Sequence, residues 1–106
     1  MKVSKAQRFE ARARILRALG NPNRLLILDE LSTGEKCVAE LTEAVGLDMS
    51  TISKHLSVLK SVGLVKDERR ATQVFYSLLA PCVLSFFNCV ESVMEAQVQH
   101  QIQLVK

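Results

Sequence analysis

The chain has 106 residues, of which 48% are hydrophobic and 24% charged, and its net charge is +3. That size describes one small domain (residues 1–106) with a modest core, for which a dimer is a reasonable expectation, and the composition excludes a disordered tail. No apolar run approaches the roughly 20 residues of a membrane span, and the basic N-terminus lacks the apolar core of a signal peptide, so a cytoplasmic protein is expected.

The punctuation of the sequence sets out the elements in order. A first helix is expected from about Lys5 to Leu19, with Gly20 at its C′ position. Asn21 as N-cap and Pro22 in the first turn restart a helix whose Leu25, Leu26, Ile27, Leu28 and Leu31 make it nearly all buried, until Ser32, Thr33 and Gly34 stop it. A short third helix runs from about Val38 to Val45, with Val38, Leu41 and Val45 on one face and Gly46 at its end. Leu47 is the turn hydrophobe and Asp48 caps a fourth helix, roughly Met49 to Val62, closed by Gly63. Ile52, Leu56, Leu59 and Val62 follow core spacing, and Ser50, Thr51, Ser53, Lys54, Ser57 and Lys60 fall on the polar face. Leu64 to Arg69 and Gln73 to Leu79 read as two strands. Their connection, Arg70-Ala71-Thr72, carries no Gly, which predicts a loop longer than a tight primed turn. Pro81 starts a last helix to about Gln99, with a wide apolar stripe of Val83, Phe86, Phe87, Val90, Val93 and Met94. That stripe exceeds what one small core requires, and it suits a dimer seam shared with the first helix.

The fold class is therefore mainly α with a two-stranded wing: a winged helix-turn-helix in the order α-α-α-α-β-β-α. In such a motif the second helix lies in the DNA major groove with its N-terminal residues nearest the base edges. Ser50, Thr51, Ser53 and Lys54 hold that place, the hydroxyls allowing close approach and Lys54 reaching a guanine edge or a phosphate. His55 suits either a phosphate contact or packing beside Leu56 and Leu59. Arg69 and Arg70 at the wing tip suit backbone or minor-groove contacts. The charge pattern agrees. Basic residues dominate from Met1 to Arg24 and again from Met49 to Phe75, and between them Asp29, Glu30, Glu35, Glu40, Glu43 and Asp48 face only Lys36. Double-stranded operator DNA is the expected partner. Four Phe and one Tyr argue against single-strand binding by stacking.

The stretches Leu16–Glu35, Cys37–Val65 and Gln73–Leu78 together resemble the ArsR/SmtB family of metalloregulatory repressors, over most of the chain from Ile15 to Leu79. The resemblance implies a winged-helix homodimer joined by its first and last helices. It also implies a repressor that leaves its operator when a metal ion, metalloid or other effector binds. Arsenic- and cadmium-sensing relatives often carry Cys-Val-Cys at the start of the third helix. Cys37 matches the first Cys of that pattern, and Ala39 stands in the second place. Zinc-sensing relatives use ligand pairs on the last helix, where this chain has Ala80, Cys82, Val93 and Ala96. His100 is a tail residue without an evident partner.

Three cysteines without a secretory signal read as reduced thiols. Cys37 falls near the N-cap of the third helix and Cys82 in the first turn of the last, where the positive helix end favours thiolate. Cys89, seven residues beyond Cys82, lies on the same face but about 10.5 Å along the axis. Sulfurs sharing one ion at about 2.3 Å each do not span that distance. The two meet only if the first turn unwinds, or if Cys82 faces Cys89 of the partner subunit across an antiparallel seam. A buried core role is as reasonable for Cys89. Soft thiolates suit arsenite or another thiophilic metal ion as effector, with no obligatory cofactor. Oxidant or sulfide sensing by the same thiols is the alternative, as is a regulator with no thiol effector. A thiol enzyme built on Cys37 and His55 lacks a phosphate loop, a nucleophile elbow or paired catalytic carboxylates.

Overall fold

A computed structural model describes residues 2–105. The elements are α1 (Lys5–Leu19), α2 (Pro22–Leu31), β1 (Lys36–Cys37), α3 (Val38–Val45), α4 (Met49–Ser61), β2 (Val65–Arg70), β3 (Gln73–Leu78) and α5 (Val83–Val105). The winged helix-turn-helix order is the one read from the sequence, with one addition. Residues 36–37 form a short strand, so the wing belongs to a three-stranded antiparallel sheet in the order β1-β3-β2. Two residues are too few to show a period-2 pattern. The strand is revealed only by its pairing, Cys37 opposite Phe75 and Lys36 opposite Tyr76.

Local chemistry explains most boundaries. Ser4 and Gln7 form a reciprocal capping box at the start of α1. The Asn21 side chain accepts from the backbone N–H groups of Asn23 and Arg24, with Pro22 at the first helical position of α2. Gly63 closes α4 at φ +82°. Its N–H reaches Lys60 O, and the Leu64 N–H reaches Leu59 O, both at 3.0 Å. This pairing is a Schellman motif, and Leu59 and Leu64 supply its hydrophobic contact in the core. Gly20, by contrast, ends α1 at φ −81°, so the left-handed C′ geometry expected there is absent.

The wing turn corrects the sequence expectation. Arg70 pairs with Gln73, leaving a two-residue connection of Ala71 and Thr72. Ala71 takes φ +56°, a conformation that costs an L-residue with a Cβ about 1–2 kcal/mol. The tight turn forms without glycine because the β2–β3 ladder fixes both of its ends.

The core joins α2, α3, α4 and the base of the wing. Ile27, Leu28, Leu41, Ile52, Leu56 and Leu59 are completely closed to solvent, and Leu31, Leu64 and Val65 nearly so. Each such side chain contributes about 1.5–3 kcal/mol. The helix expected to be nearly all buried is not quite so, because Leu26 faces outward at 49% exposure. The outer helices enter the core at their inner ends, α1 through Ala18 and Leu19 and α5 through Val83, with Leu84 and Phe87 packed partly buried against it. The last helix also runs on to Val105, beyond the end expected near Gln99. Its 23 residues span about 34 Å, and the molecule measures 59 × 44 × 21 Å.

Candidate nucleic-acid interface

The position of α4 is set by its apolar face. Burial of Ile52, Leu56 and Leu59 fixes the rotation of the helix, so Ser50, Ser53, Lys54 and Ser57 face solvent. Gly46 in the left-handed region (φ +81°), its N–H on Thr42 O at 2.9 Å, turns the chain out of α3. Leu47 then packs against the core and ties the turn down.

The Asp48 carboxylate collects the hydroxyl protons of Ser50, at 2.7 Å, and of Thr51. The Thr51 bond first and the Ser50 bond second hold this carboxyl below its ordinary range. With their protons so engaged, both hydroxyls act toward any further partner as acceptors, Ser50 exposed and Thr51 half-buried. In the major groove such acceptors match the amino groups of adenine and cytosine. Lys54 is exposed and has no ion-pair partner among the described residues. Lys60 is committed elsewhere, to Asp67 of β2 at 2.9 Å.

His55 is half-buried, and its Nδ1 accepts from Arg24 Nε at 3.3 Å. Burial first, and the Arg24 charge second, hold the imidazole below its ordinary pKa. From the sequence, His55 suits either packing or a phosphate contact, and Arg24 is only one member of a basic stretch. The side-chain bond spans 31 positions, beyond the reach of any local pattern.

At the wing tip the two arginines differ. Arg70 is clamped by both carboxylate oxygens of Glu35, bonds to Glu68 at 3.1 Å, and lies over the Phe75 ring at 5.0 Å. Arg70 holds Glu35 below the ordinary carboxylate range. Arg69, one position earlier, is exposed and unpaired among the described residues.

The three thiols do not come together. Cys37 is buried as the N-cap of α3, and its backbone N–H donates to Glu40 at 3.0 Å. It lines an open groove of about 530 Å³ between the starts of α3 and α4 and the wing tip, with Met49, Ser50, Ser53 and Thr72 among the other walls. Cys82 lies not in the first turn of α5 but in the turn before it, its carbonyl accepting from the Ser85 N–H at 3.1 Å. That tighter i→i+3 turn rises more per residue than an α-helix, and the axial distance to Cys89 becomes about 11 Å. Both α5-side thiols are exposed, so the core role weighed for Cys89 is not the one it has here. Among the described residues no three His, Cys, Asp or Glu side chains are grouped to hold a metal ion.

The fold and the solvent-facing polar side of α4 define a winged-helix DNA-binding protein. Residues 21–67 match the family described as "Bacterial regulatory protein, arsR family". The chain is 39% identical to the nodulation protein NolR of Rhizobium meliloti over 84 residues, 79% of this chain and 69% of that one. It is 38% identical to the HTH-type transcriptional repressor SmtB of Mycobacterium tuberculosis over 66% of this chain, which spans only 52% of that relative. It superposes with a TM-score of 0.79 and 35% identity on the homodimeric winged helix-turn-helix DNA-binding domain Mb0332 of Mycobacterium bovis, a possible ArsR-family regulator, covering 94% of this chain and 93% of that one. The chain belongs to the ArsR/SmtB family, and it is a DNA-binding transcriptional repressor of that family, not an enzyme. No helix among the described residues is long and apolar enough to cross a membrane.

Proposed function

We propose that the 106 residues form one winged-helix domain that acts as a homodimer, and that each copy places α4 in a major groove of operator DNA. The observation that carries this reading is the division of α4. Three fully buried side chains lie on one face, and a free Lys54 with exposed Ser50 and Ser53 lies on the other. Ser50, Thr51, Ser53 and Lys54 read base edges, His55 touches a phosphate, and Arg69 extends the contact along the backbone. Arg70 serves chiefly to brace the wing against the Glu35 loop. The test is duplex binding by Lys54→Ala and Ser53→Ala, both expected to weaken binding while leaving the thermal unfolding midpoint unchanged. Unchanged affinity in both variants moves the reading surface elsewhere.

A thiol-reactive effector, arsenite or another thiophilic metal ion, releases the DNA. Exposure of Cys82 and Cys89 supports this reading, because both are open to a ligand and border the apolar side of α5. One subunit does not bring them together, so the site requires Cys82 of one copy and Cys89 of the other across the α5 seam. Cys37, beside the reading surface, is the lesser candidate. Oxidation of these thiols, to a disulfide by an oxidant or to a persulfide by sulfide together with a two-electron oxidant, is the second reading, supported by the same exposure. Cys→Ser substitution at each position, with duplex affinity measured with and without arsenite, cadmium and a mild oxidant, separates them. A triple variant that still responds as wild type does removes the thiols from the mechanism.

A further inference from the structure

Arg24 stands at the meeting point of three helices. It lies in the first turn of α2. Its Nη1 donates at the end of α1 to Ala18 O at 3.1 Å and to Arg17 O at 3.5 Å, the latter carbonyl also accepting from the Gly20 N–H. Its Nε donates to His55 Nδ1 on α4. A guanidinium has donors only, so Nδ1 must be the acceptor and the ring proton must sit on Nε2. Nε2 has no hydrogen-bond partner among the described residues, and it is not sealed from solvent. The imidazole is thus held by one nitrogen and offers the other as a donor on the flank of the reading helix.

We propose that Arg24 is a positioning residue for DNA binding: through Nδ1 it fixes His55 as the Nε2–H tautomer, and so presents that N–H to a DNA phosphate while tying α4 to the end of α1. This rests on the placement of α4 in the major groove. It adds a mechanical link. A change in α1, the helix assigned to the dimer seam, reaches the reading helix through one side chain, because the same guanidinium holds the carbonyls of α1 and the imidazole of α4.

The test begins with the 15N-labelled wild-type protein at pH 7.5, where NMR of the ring nitrogens reports the tautomer of His55 directly. A neutral ring with the proton on Nε2 is expected. A Nδ1–H tautomer or a charged ring overturns the proposal, and it does so without any DNA. The second arm uses a duplex that wild type selects from a random library. His55→Phe removes a bond to a charged group and should weaken binding about tenfold or more. His55→Gln carries both an acceptor for Arg24 and a donor for phosphate, and it should stay within a few-fold of wild type. Arg24→Met should mix the His55 tautomers and weaken binding, and the Arg24→Met/His55→Phe double variant should bind no worse than His55→Phe alone. Additive losses in the double variant, or equal affinity of the Phe and Gln variants, contradict the role. If Arg24→Met does not fold, the tautomer and the Phe–Gln pair still decide. If wild type selects no duplex at all, the DNA-reading placement fails, whatever the tautomer.

Discussion

From α2 to β3, the chain sets its apolar faces against itself. Ile27, Leu28, Leu41, Ile52, Leu56 and Leu59 are closed to solvent, and the turns around them are fastened by Gly46, Gly63 and the Asp48 hydroxyl bonds. In α1 and α5 only Ala18, Leu19 and Val83 are buried, while Phe9, Leu16, Phe86, Val90, Val93, Met94, Val98 and Ile102 stay exposed. Leu16, Leu25, Leu26, Phe86, Val90 and Met94 line an apolar groove of about 740 Å³ between the outer helices and α2. The reading unit is complete within one chain. The outer helices leave their apolar faces open, a second copy covers them in the homodimer proposed above, and Cys82 and Cys89 are exposed as well.

The strongest way to break this contrast is to cut the two regions separately. Leu56→Ala leaves a cavity at the centre of the reading unit and should cost about 2–5 kcal/mol in urea unfolding. Val90→Asp, on the outer face of α5, should leave secondary structure intact and yield a monomer by sedimentation at micromolar concentration. A monomeric wild type under the same conditions would remove the second copy from the account.

Effector coupling comes next in size. Occupation of the Cys82–Cys89 site should lower DNA affinity by about 5–150-fold, the range of a typical 1–3 kcal/mol coupling. By linkage, DNA must lower effector affinity by the same factor. Cys82→Ser should abolish the response and Cys37→Ser should leave most of it. The reverse result would move the switch into the groove beside α4.

Smaller effects sharpen the reading unit itself. Arg69→Ala should reduce the salt dependence of binding by about one unit of slope, as for loss of one phosphate contact. Arg70→Ala should change that slope less, since its charge is already matched by Glu35 and Glu68. Equal slopes would mean that the Glu35 clamp opens on DNA. Ala71→Gly relieves the positive φ and should stabilise the protein by about 0.5–1 kcal/mol. In acid, Asp48, Glu35 and Glu40 all have carboxyls held below their ordinary values. Their contribution is present above about pH 4.5 and disappears as the pH falls through the lowered folded-state values. The unfolding midpoint should therefore drop on that acid limb. A midpoint that stays level down to pH 3 would show that these bonds add nothing to the fold.

Much of this was legible in the sequence because it is local. The α1 and α3 spans, the Asn21–Pro22 restart and the Gly46 and Gly63 stops each follow from a few adjacent residues. What stayed hidden depends on partners far along the chain. The β1 strand exists only by pairing with β3, the Arg70 clamp joins residues 35 positions apart, and the Arg24–His55 bond spans 31. The turn at Ala71 runs against propensity, which disfavours a tight turn there, because the ladder on either side imposes one. Cys82 lies ahead of α5 and not in its first turn, since Pro81 begins a tighter turn before the helix. Of the site, the face of α4 was readable from its periodicity. Which of its cations remain free was not, because that depends on where Asp67 and Glu35 fall in space.

The most direct measurement is selection of bound sequences from a random double-stranded DNA library by the wild-type protein, with Lys54→Ala in parallel. A dimer with one α4 per subunit predicts an enriched imperfect palindrome, its half-sites about one helical turn (~34 Å) apart, and an enrichment that weakens in Lys54→Ala. A single unrepeated half-site would contradict the symmetric dimer. Identical enrichment by wild type and Lys54→Ala would contradict the placement of α4 as the reading helix.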